Sequence, residues 1–413
     1  MLKNKWKARI AVLKKFTVNY LINVCFKLTG SAVLLVVAAL SGCKTTSSPI
    51  APETTKPIIE IALLLPLESE NKDTNILSTE MMNAARLATA DLKGVDINLT
   101  IYPTSGLADR AKYAAQTAIN RGAQIIIGPL YGDETNSIKE LAKKHRIKII
   151  SFSNNDSVID ENTYIIGVTL ASVSNRIAKY AISKKLNRIA IVAPEGTIGE
   201  KGITTASNAI LYNGGEIATI ETYPLSPEGI NKIAPSIFKK LMESKTDAIM
   251  FTDTPTRGLV FITTELDRQF SSQKAKKLQK LGLTRWDANS KVLKEPSLQG
   301  GWFVITDNRF EATYIDRFFS AYGVKPTRFS ALSYDAIASV GVIARQAFKE
   351  NDPYPFDARN ITNPNGFLGV NGVFRFKETG TNERALSIVK VDAGTYRILS
   401  QAPEEFKEIT SKQ

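Results

Sequence analysis

Ile58-Ile-Glu-Ile-Ala-Leu-Leu-Leu65 stops at Pro66 and is followed by a helical pattern with Met81, Ala85, Ala88 and Leu92 on one face. A short apolar run bounded by a proline reads as a buried strand, and the 3.6-residue spacing after it as an amphipathic helix. The same pair recurs downstream: Ile97 to Tyr102 then Asp109 to Arg121, Ile125 to Ile127 then Glu134 to Lys144, and Lys148 to Ile150 before an irregular polar stretch. Continuous apolar strands alternating with helices predict a parallel sheet covered on both faces.

A second set begins after Tyr164-Ile-Ile-Gly167. It runs helix Ser172 to Lys185, strand Arg188 to Ala193, helix Lys201 to Tyr212, strand Glu216 to Tyr223, helix Ile230 to Ser244, strand Ala248 to Thr252 and helix Thr256 to Phe270. Two such sets predict an α/β protein of two doubly wound, Rossmann-like lobes whose facing strand ends form a cleft. Trp302-Phe-Val-Ile305 reads as one more strand, and Phe310 to Tyr322 and Phe329 to Lys349 as two helices. Gly372-Val-Phe-Arg-Phe376 and Leu386-Ser-Ile-Val-Lys-Val391 read as a closing β-hairpin.

Upstream of Ile58 the texture is different. Seven basic residues and no acidic one precede Ser31-Ala-Val-Leu-Leu-Val-Val-Ala-Ala-Leu40, a run that suits a signal h-region better than a membrane span. It ends in Leu40-Ser-Gly-Cys43, which resembles the lipobox of bacterial lipoproteins, with Cys43 as the lipidated residue; an uncleaved anchor is the competing reading. The expected division is a signal peptide over 1–42 and a flexible Pro/Ser/Thr-rich tether over 43–57. Removing the signal takes away Cys25 and leaves no cysteine to pair, to hold a metal or to act as a nucleophile. It also takes seven charges from a net +13, and the remaining +6 does not define a groove that tracks phosphates, so no nucleic acid is expected.

The segments Ile61-Ala-Leu-Leu-Leu-Pro-Leu67, Ile126-Ile-Gly-Pro-Leu130, Ile149-Ile-Ser-Phe-Ser153, Ser333-Tyr-Asp-Ala336 and Gly369-Val-Asn-Gly-Val-Phe-Arg-Phe376 resemble, in order and spacing, the type I periplasmic binding proteins, specifically the leucine/isoleucine/valine-binding group of ABC-transporter solute receptors. A narrower resemblance links Gly282-Leu-Thr-Arg-Trp-Asp287 to penicillin-binding protein activator lipoproteins, which share the fold and regulate a cell-wall synthase. The resemblance implies three crossings in a multi-strand hinge, placed near Gly167, Gly301 and Gly366. The lobes are then 58–167 with 302–365, and 168–301 with 366–413.

It also implies where a ligand would sit. Gly132 and Asp133, in the loop Ile127-Gly-Pro-Leu-Tyr-Gly-Asp133, offer the free amides of a helix start to a carboxylate; Gly132 stands where amino-acid receptors place a serine. Ser153 and Asn155 match the residues that hold a ligand's charged ends. On the second lobe the candidates are the loop Pro194 to Glu200 with Thr197, the loop Thr252 to Thr256 with Thr254, and Arg285-Trp-Asp287. Asp287 would take an α-ammonium group and Trp286 would give an aromatic wall. Ile198 and Thr254 stand where ligand-covering aromatics are found, a departure from the amino-acid binders. As plain residues, all of these are equally turn formers, caps or core.

Catalysis has little support. The single histidine, His145, lies among basic residues at a helix end, and no P-loop, paired-His motif or nucleophile elbow is present, so neither cofactor nor metal is expected. The leading expectation is a lipid-anchored receptor at the periplasmic face of a bacterial membrane, the outer one favoured by Lys44. It would close on an amino acid or related molecule and pass it to an ABC permease. A regulator that binds a penicillin-binding protein is the alternative, and an enzyme that reuses the cleft a third class.

Overall fold

The first strand, β1 (Ile58–Leu65), buries Ile59, Ile61, Leu63 and Leu65 on one face and Ala62 and Leu64 on the other. Being covered twice is why it reads as an unbroken apolar run. In this computed structural model, which describes residues 58–406, β1 is followed by α1 (Lys72–Asp91), β2 (Asp96–Pro103), α2 (Ala108–Asn120), β3 (Ile125–Ile127), α3 (Gly132–Lys144), β4 (Lys148–Ser151) and β5 (Thr163–Ile165). Asn71 caps α1, its side chain accepting the Thr74 N–H at 3.0 Å. The strands form a parallel sheet in the order β2-β1-β3-β4-β5, with α2 and α3 on the Ala62/Leu64 face and α1 on the other. The signal segment, Cys43 and the tether lie outside the described residues.

The chain leaves the first sheet at Ile166 and enters α4 (Leu170–Ser183), then β6 (Arg188–Pro194), α5 (Thr197–Tyr212), β7 (Glu216–Tyr223), α6 (Pro227–Glu243), β8 (Ala248–Phe251), α7 (Leu259–Ser272), β9 (Gln279–Gly282) and β10 (Trp302–Thr306). Helices α4 and α5 pack on one face of the second sheet and α6 and α7 on the other. Then come α8 (Glu311–Tyr322), α9 (Ser330–Lys349), α10 (Ala358–Ile361), β11 (Phe367–Gly369), β12 (Gly372–Phe376), β13 (Asn382–Arg384), β14 (Leu386–Asp392) and β15 (Thr395–Ser400). The second sheet has the order β15-β14-β10-β9-β8-β6-β7, with β14 antiparallel to both of its neighbours, β10 and β15.

Three expectations from sequence change here. The strand at Trp302 belongs to the second sheet, beside β9, because Phe303 packs against Trp286 and Tyr396 of that lobe with ring centroids 5.8 Å apart in each pair. The second crossing therefore follows Thr306, not Gly301. Residues 366–384 stay with the first lobe: β11, β12 and β13 form a small antiparallel sheet that buries Phe367, Phe374 and Phe376 in the same core as Tyr164. The third crossing thus falls at Ala385, not Gly366. For the same reason β12 and β14 are not a hairpin, since they bury their side chains in different lobes. Helices α8 and α9 return to α1, where Tyr322 Oη donates to the Asn83 carbonyl at 2.9 Å and Leu92 fills the space above Gly341.

Polar side chains tie the crossings together. Asn382 Nδ2 donates to the carbonyls of Ile165 (2.8 Å) and Gly167 (2.7 Å), and Arg384 donates from Nε and Nη2 to the carbonyl of Ile166. A Cβ at Gly167 would lie 2.6 Å from the Ser153 carbonyl oxygen, so this close approach of two backbones requires glycine. Arg384 pairs with Asp335 at 3.6 Å, both side chains fully buried, and Asp335 Oδ1 accepts the Val370 N–H at 2.6 Å. The Ser333–Ala336 and Gly369–Phe376 segments singled out in the sequence are therefore bonded to each other and to the hinge.

Candidate functional site

In doubly wound sheets a ligand sits beyond the carboxyl ends of the strands. On the first lobe this region is built by the β3–α3 turn. Glu134, in the first turn of α3, reaches back to accept the Tyr131 N–H at 3.1 Å and also accepts Thr104 Oγ1. Burial pushes its carboxyl above the usual range, against the pull of the Thr104 and Tyr131 bonds. The turn sets the exposed Tyr131 ring over Gly106, with its hydroxyl 3.1 Å from Thr74 Oγ1. Tyr131 is not among the residues expected from sequence, although it lies inside the loop Ile127 to Asp133.

Gly132 opens α3, and a Cβ built on it would lie 3.5 Å from Asn155 Nδ2 and 3.8 Å from Ser153 Oγ. Gly132, Ser153 and Asn155 are therefore neighbours, while Asp133 is exposed in the first turn of α3. Both polar side chains also shape their loop. Ser153 Oγ accepts the Asn155 N–H at 3.0 Å, and Asn155 Oδ1 accepts the Ser157 N–H at 3.2 Å.

On the second lobe, Gly196 takes φ 96° and starts α5, leaving Thr197 and Ile198 exposed. One turn on, Lys201 Nζ reaches the first lobe, 2.9 Å from Asn155 Oδ1 and 3.1 Å from Asp156 Oδ1. Thr254 is half-buried, its hydroxyl 2.8 Å from Thr256 Oγ1 and its N–H bonded to Asp253. Asp253 is buried and also accepts Tyr223 Oη at 2.8 Å and the Gly258 N–H at 2.9 Å, which fixes the β8–α7 turn. Burial, with the Asp253 charge beside it, pushes the Tyr223 hydroxyl far up.

Two expected ligand groups are placed elsewhere. Trp286 is fully buried and stacks on Phe303, its ring lying over Gly282 and Gly301, where an added Cβ would sit 2.4 Å away in each case. It is a core residue and gives no aromatic wall, because the two glycines leave a slot that only this ring fills. Asp287 has a side chain 3% exposed, and both of its oxygens are engaged. Arg285 donates from Nε and Nη2 at 2.6 Å each, and Arg328, on the α8–α9 loop of the first lobe, donates at 2.9 Å. Burial alone would raise its pKa, but the bonds and charges of the two arginines hold the carboxyl below the usual range. An α-ammonium group would find this carboxylate already paired.

The geometry thus offers a polar first-lobe patch with helix-start amides, hydroxyls and an amide side chain. Facing it are the exposed start of α5 and a lysine that already crosses between the lobes. Among the described residues no group of three His, Cys, Asp or Glu side chains could hold a metal ion, and no helix is long and apolar enough to cross a membrane.

A family model for periplasmic binding proteins matches residues 58–395. Similar solved structures include a Rhodospirillum rubrum protein described as a branched-chain amino acid ABC transporter, with TM-score 0.69 and 16% identity over 83% of this chain and 100% of that one. An ABC transporter substrate-binding protein of Desulfitobacterium hafniense in complex with leucine has TM-score 0.59 and 15% identity, covering 83% and 100%. A solute-binding protein of R. palustris in complex with 4-hydroxybenzoate has TM-score 0.57 and 14% identity, covering 85% and 97%. An uncharacterized protein of Rickettsia prowazekii is 23% identical over 205 residues, 50% of this chain, and the match spans about half of that relative, 53%. At these identities the structures establish a shared fold, while the family match extends over most of the chain. The chain belongs to the periplasmic binding protein family, whose members are receptors and not enzymes.

Proposed function

We propose that the protein is the solute-binding receptor of an ABC-type transport system related to the branched-chain amino acid receptors, working in the periplasm and held to the membrane through a lipid on Cys43. The observation that carries this reading is Lys201, which bridges from the second lobe to Asn155 and Asp156 at the edge of the Gly132–Ser153–Asn155 patch. Lobes that meet there enclose whatever the patch holds, and a solute that binds both favours the closed arrangement. Gly132, Asp133, Ser153 and Asn155 would present donors and acceptors from one side, and Thr197 and Thr254 from the other. Asp287 and Trp286 have no part in this reading. The solute's charge is then recognised by amides and hydroxyls, which fits a carboxylate or a neutral polar group better than an ammonium.

A thermal-shift screen of the purified protein against branched and polar amino acids, aromatic carboxylates and cell-wall fragments tests the proposal. A solute at 100 times its dissociation constant adds about 2.7 kcal/mol to stability. A clear shift with a small solute is the expected result. No shift with any small solute, combined with capture of a penicillin-binding protein in a pull-down, would overturn it in favour of the cell-wall regulator.

A further inference from the structure

Helices α4, α5, α6 and α7 each run back to the amino end of the strand that follows, and the starts of β6, β7, β8 and β9 lie side by side in the sheet. The four turns between them therefore share one end of the second lobe. The cleft lies beyond the opposite, carboxyl end, about 20–25 Å away along the seven residues of β6.

These turns carry an excess of cations. Lys184 and Lys185 follow α4, Lys245 follows α6, and Lys274 and Lys276 follow α7; all are exposed, and none has an ion pair among the described residues. The carboxylates of the same turns are already engaged. Glu216 pairs with Arg188 and Glu243 with Lys239 at 3.7 Å, while Asp247 accepts the N–H groups of Asn187 (3.0 Å) and Arg188 (2.9 Å). Lys185, Lys245 and Lys274 occupy the same place, two residues past the helix end, with φ between 48° and 65°. Glycine takes this left-handed position most easily and does so after α5, at Gly214 with φ 81°. A cation there complements the negative helix end, but one per helix does not account for Lys184 and Lys276. Apolar side chains stand among the lysines: Tyr212 is 82%, Leu211 58% and Met242 42% exposed.

We propose that this end of the second lobe docks on an anionic phospholipid surface, its lysines meeting headgroup phosphates while Tyr212, Leu211 and Met242 enter the interfacial layer. The charges come from helices on both faces of the sheet, so they are spread over a broad end, as headgroups are, and do not converge on one anion. The free cations named here are lysines, which protein interfaces disfavour, and tyrosine suits the membrane–water boundary. Docking in this way leaves the cleft on the side away from the membrane. Neither the solute of the cleft nor a lipid on Cys43 enters the argument.

Hydrogen–deuterium exchange of the full-length protein tests the site, with vesicles of phosphatidylcholine alone or containing about 30% phosphatidylglycerol. Exchange over 184–187, 211–216, 244–247 and 273–278 is expected to slow at least threefold on the anionic vesicles relative to the neutral ones. The protection should vanish in 0.5 M salt and in the triple variant Lys185→Glu, Lys245→Glu, Lys274→Glu, whose affinity for the cleft solute should not change. These side chains are exposed, so the variant's circular dichroism midpoint is expected near wild type; should it unfold, Lys274→Glu with Lys276→Glu, both in one loop, gives the same test. Equal exchange on the two kinds of vesicle, protection that survives salt or charge reversal, or protection by soluble polyglutamate with none by anionic vesicles would each overturn the proposal. The readout is local to these turns, so it stands or falls apart from the Cys43 anchor and the cleft reading.

Discussion

Asp287→Asn keeps the side chain's shape and removes its charge, and its effect can be worked from the bonds it makes. Three charge-assisted hydrogen bonds converge on this carboxylate, two from Arg285 and one from Arg328. In a dry interior, breaking such a group costs about 3–5 kcal/mol. The arginines, however, are 34% and 49% exposed, and Arg328 keeps Glu311 at 2.9 Å. Water and Glu311 therefore recover part of the loss, and the value moves toward the exposed-pair range, to about 2–3 kcal/mol. With ~2.1 cal/mol/K of unfolding entropy per residue over the folded body, that lowers the melting midpoint by about 3–4 °C. Differential scanning calorimetry with and without 0.5 M salt reads the change, and the gap between variant and wild type should narrow in salt. Solute affinity should stay within about twofold of wild type. A midpoint within 1 °C of wild type, or a tenfold loss of solute affinity at unchanged stability, would refute the assignment of Asp287 as a structural bridge between the lobes.

Trp286→Ala should cost about 3–5 kcal/mol, the range for truncating a large buried aromatic, read from urea midpoints. Lys201→Ala removes a half-exposed pair worth at most about 1 kcal/mol, so its melting midpoint should hold while solute affinity falls a few-fold as the closed arrangement loses a tie; calorimetric titration measures this. Burial pushes the Asp335 carboxyl up to about 6, against the pull of Arg384 and the Val370 and Asn371 amides. Because the folded value is raised, this group's contribution to stability is fully present below the ordinary carboxylate value, near 4, and is lost as pH rises through about 6. Denaturation midpoints between pH 4 and 7 should therefore show a falling component, on the order of 1–3 kcal/mol, that is absent in Asp335→Asn.

The parallel layers were legible because β1, β3, β4 and β8 are covered on both faces and so carry unbroken apolar runs. Strand β9 was hidden because it starts inside the basic run Lys274-Ala-Lys-Lys-Leu-Gln-Lys280. Lys280 sits inside that strand, buried, with Nζ 2.6 Å from Asp267 Oδ1 on α7, a pairing set by tertiary contact alone. The sheet that β10 joins was equally illegible, since an apolar strand with buried faces suits either lobe until Trp286 and Tyr396 are seen around Phe303. At the site, the turns at Gly132 and Ser153 could be read from their small and polar residues. The slot that takes Trp286 inward and the arginine from the distant α8–α9 loop that occupies Asp287 depend on three-dimensional neighbours, and no spacing announces them. Tyr131 carries a signal in the sequence, an aromatic beside the helix-start glycine.

In the proposed receptor one solute is held by both lobes at once. Calorimetric titration of the solute identified in the thermal-shift screen against Gly132→Val, which fills the first-lobe patch beside Ser153 and Asn155, and against Thr254→Arg on the opposing loop tests this. The account expects each variant to lower affinity at least tenfold with melting midpoints close to wild type. Undiminished affinity in either variant would contradict it.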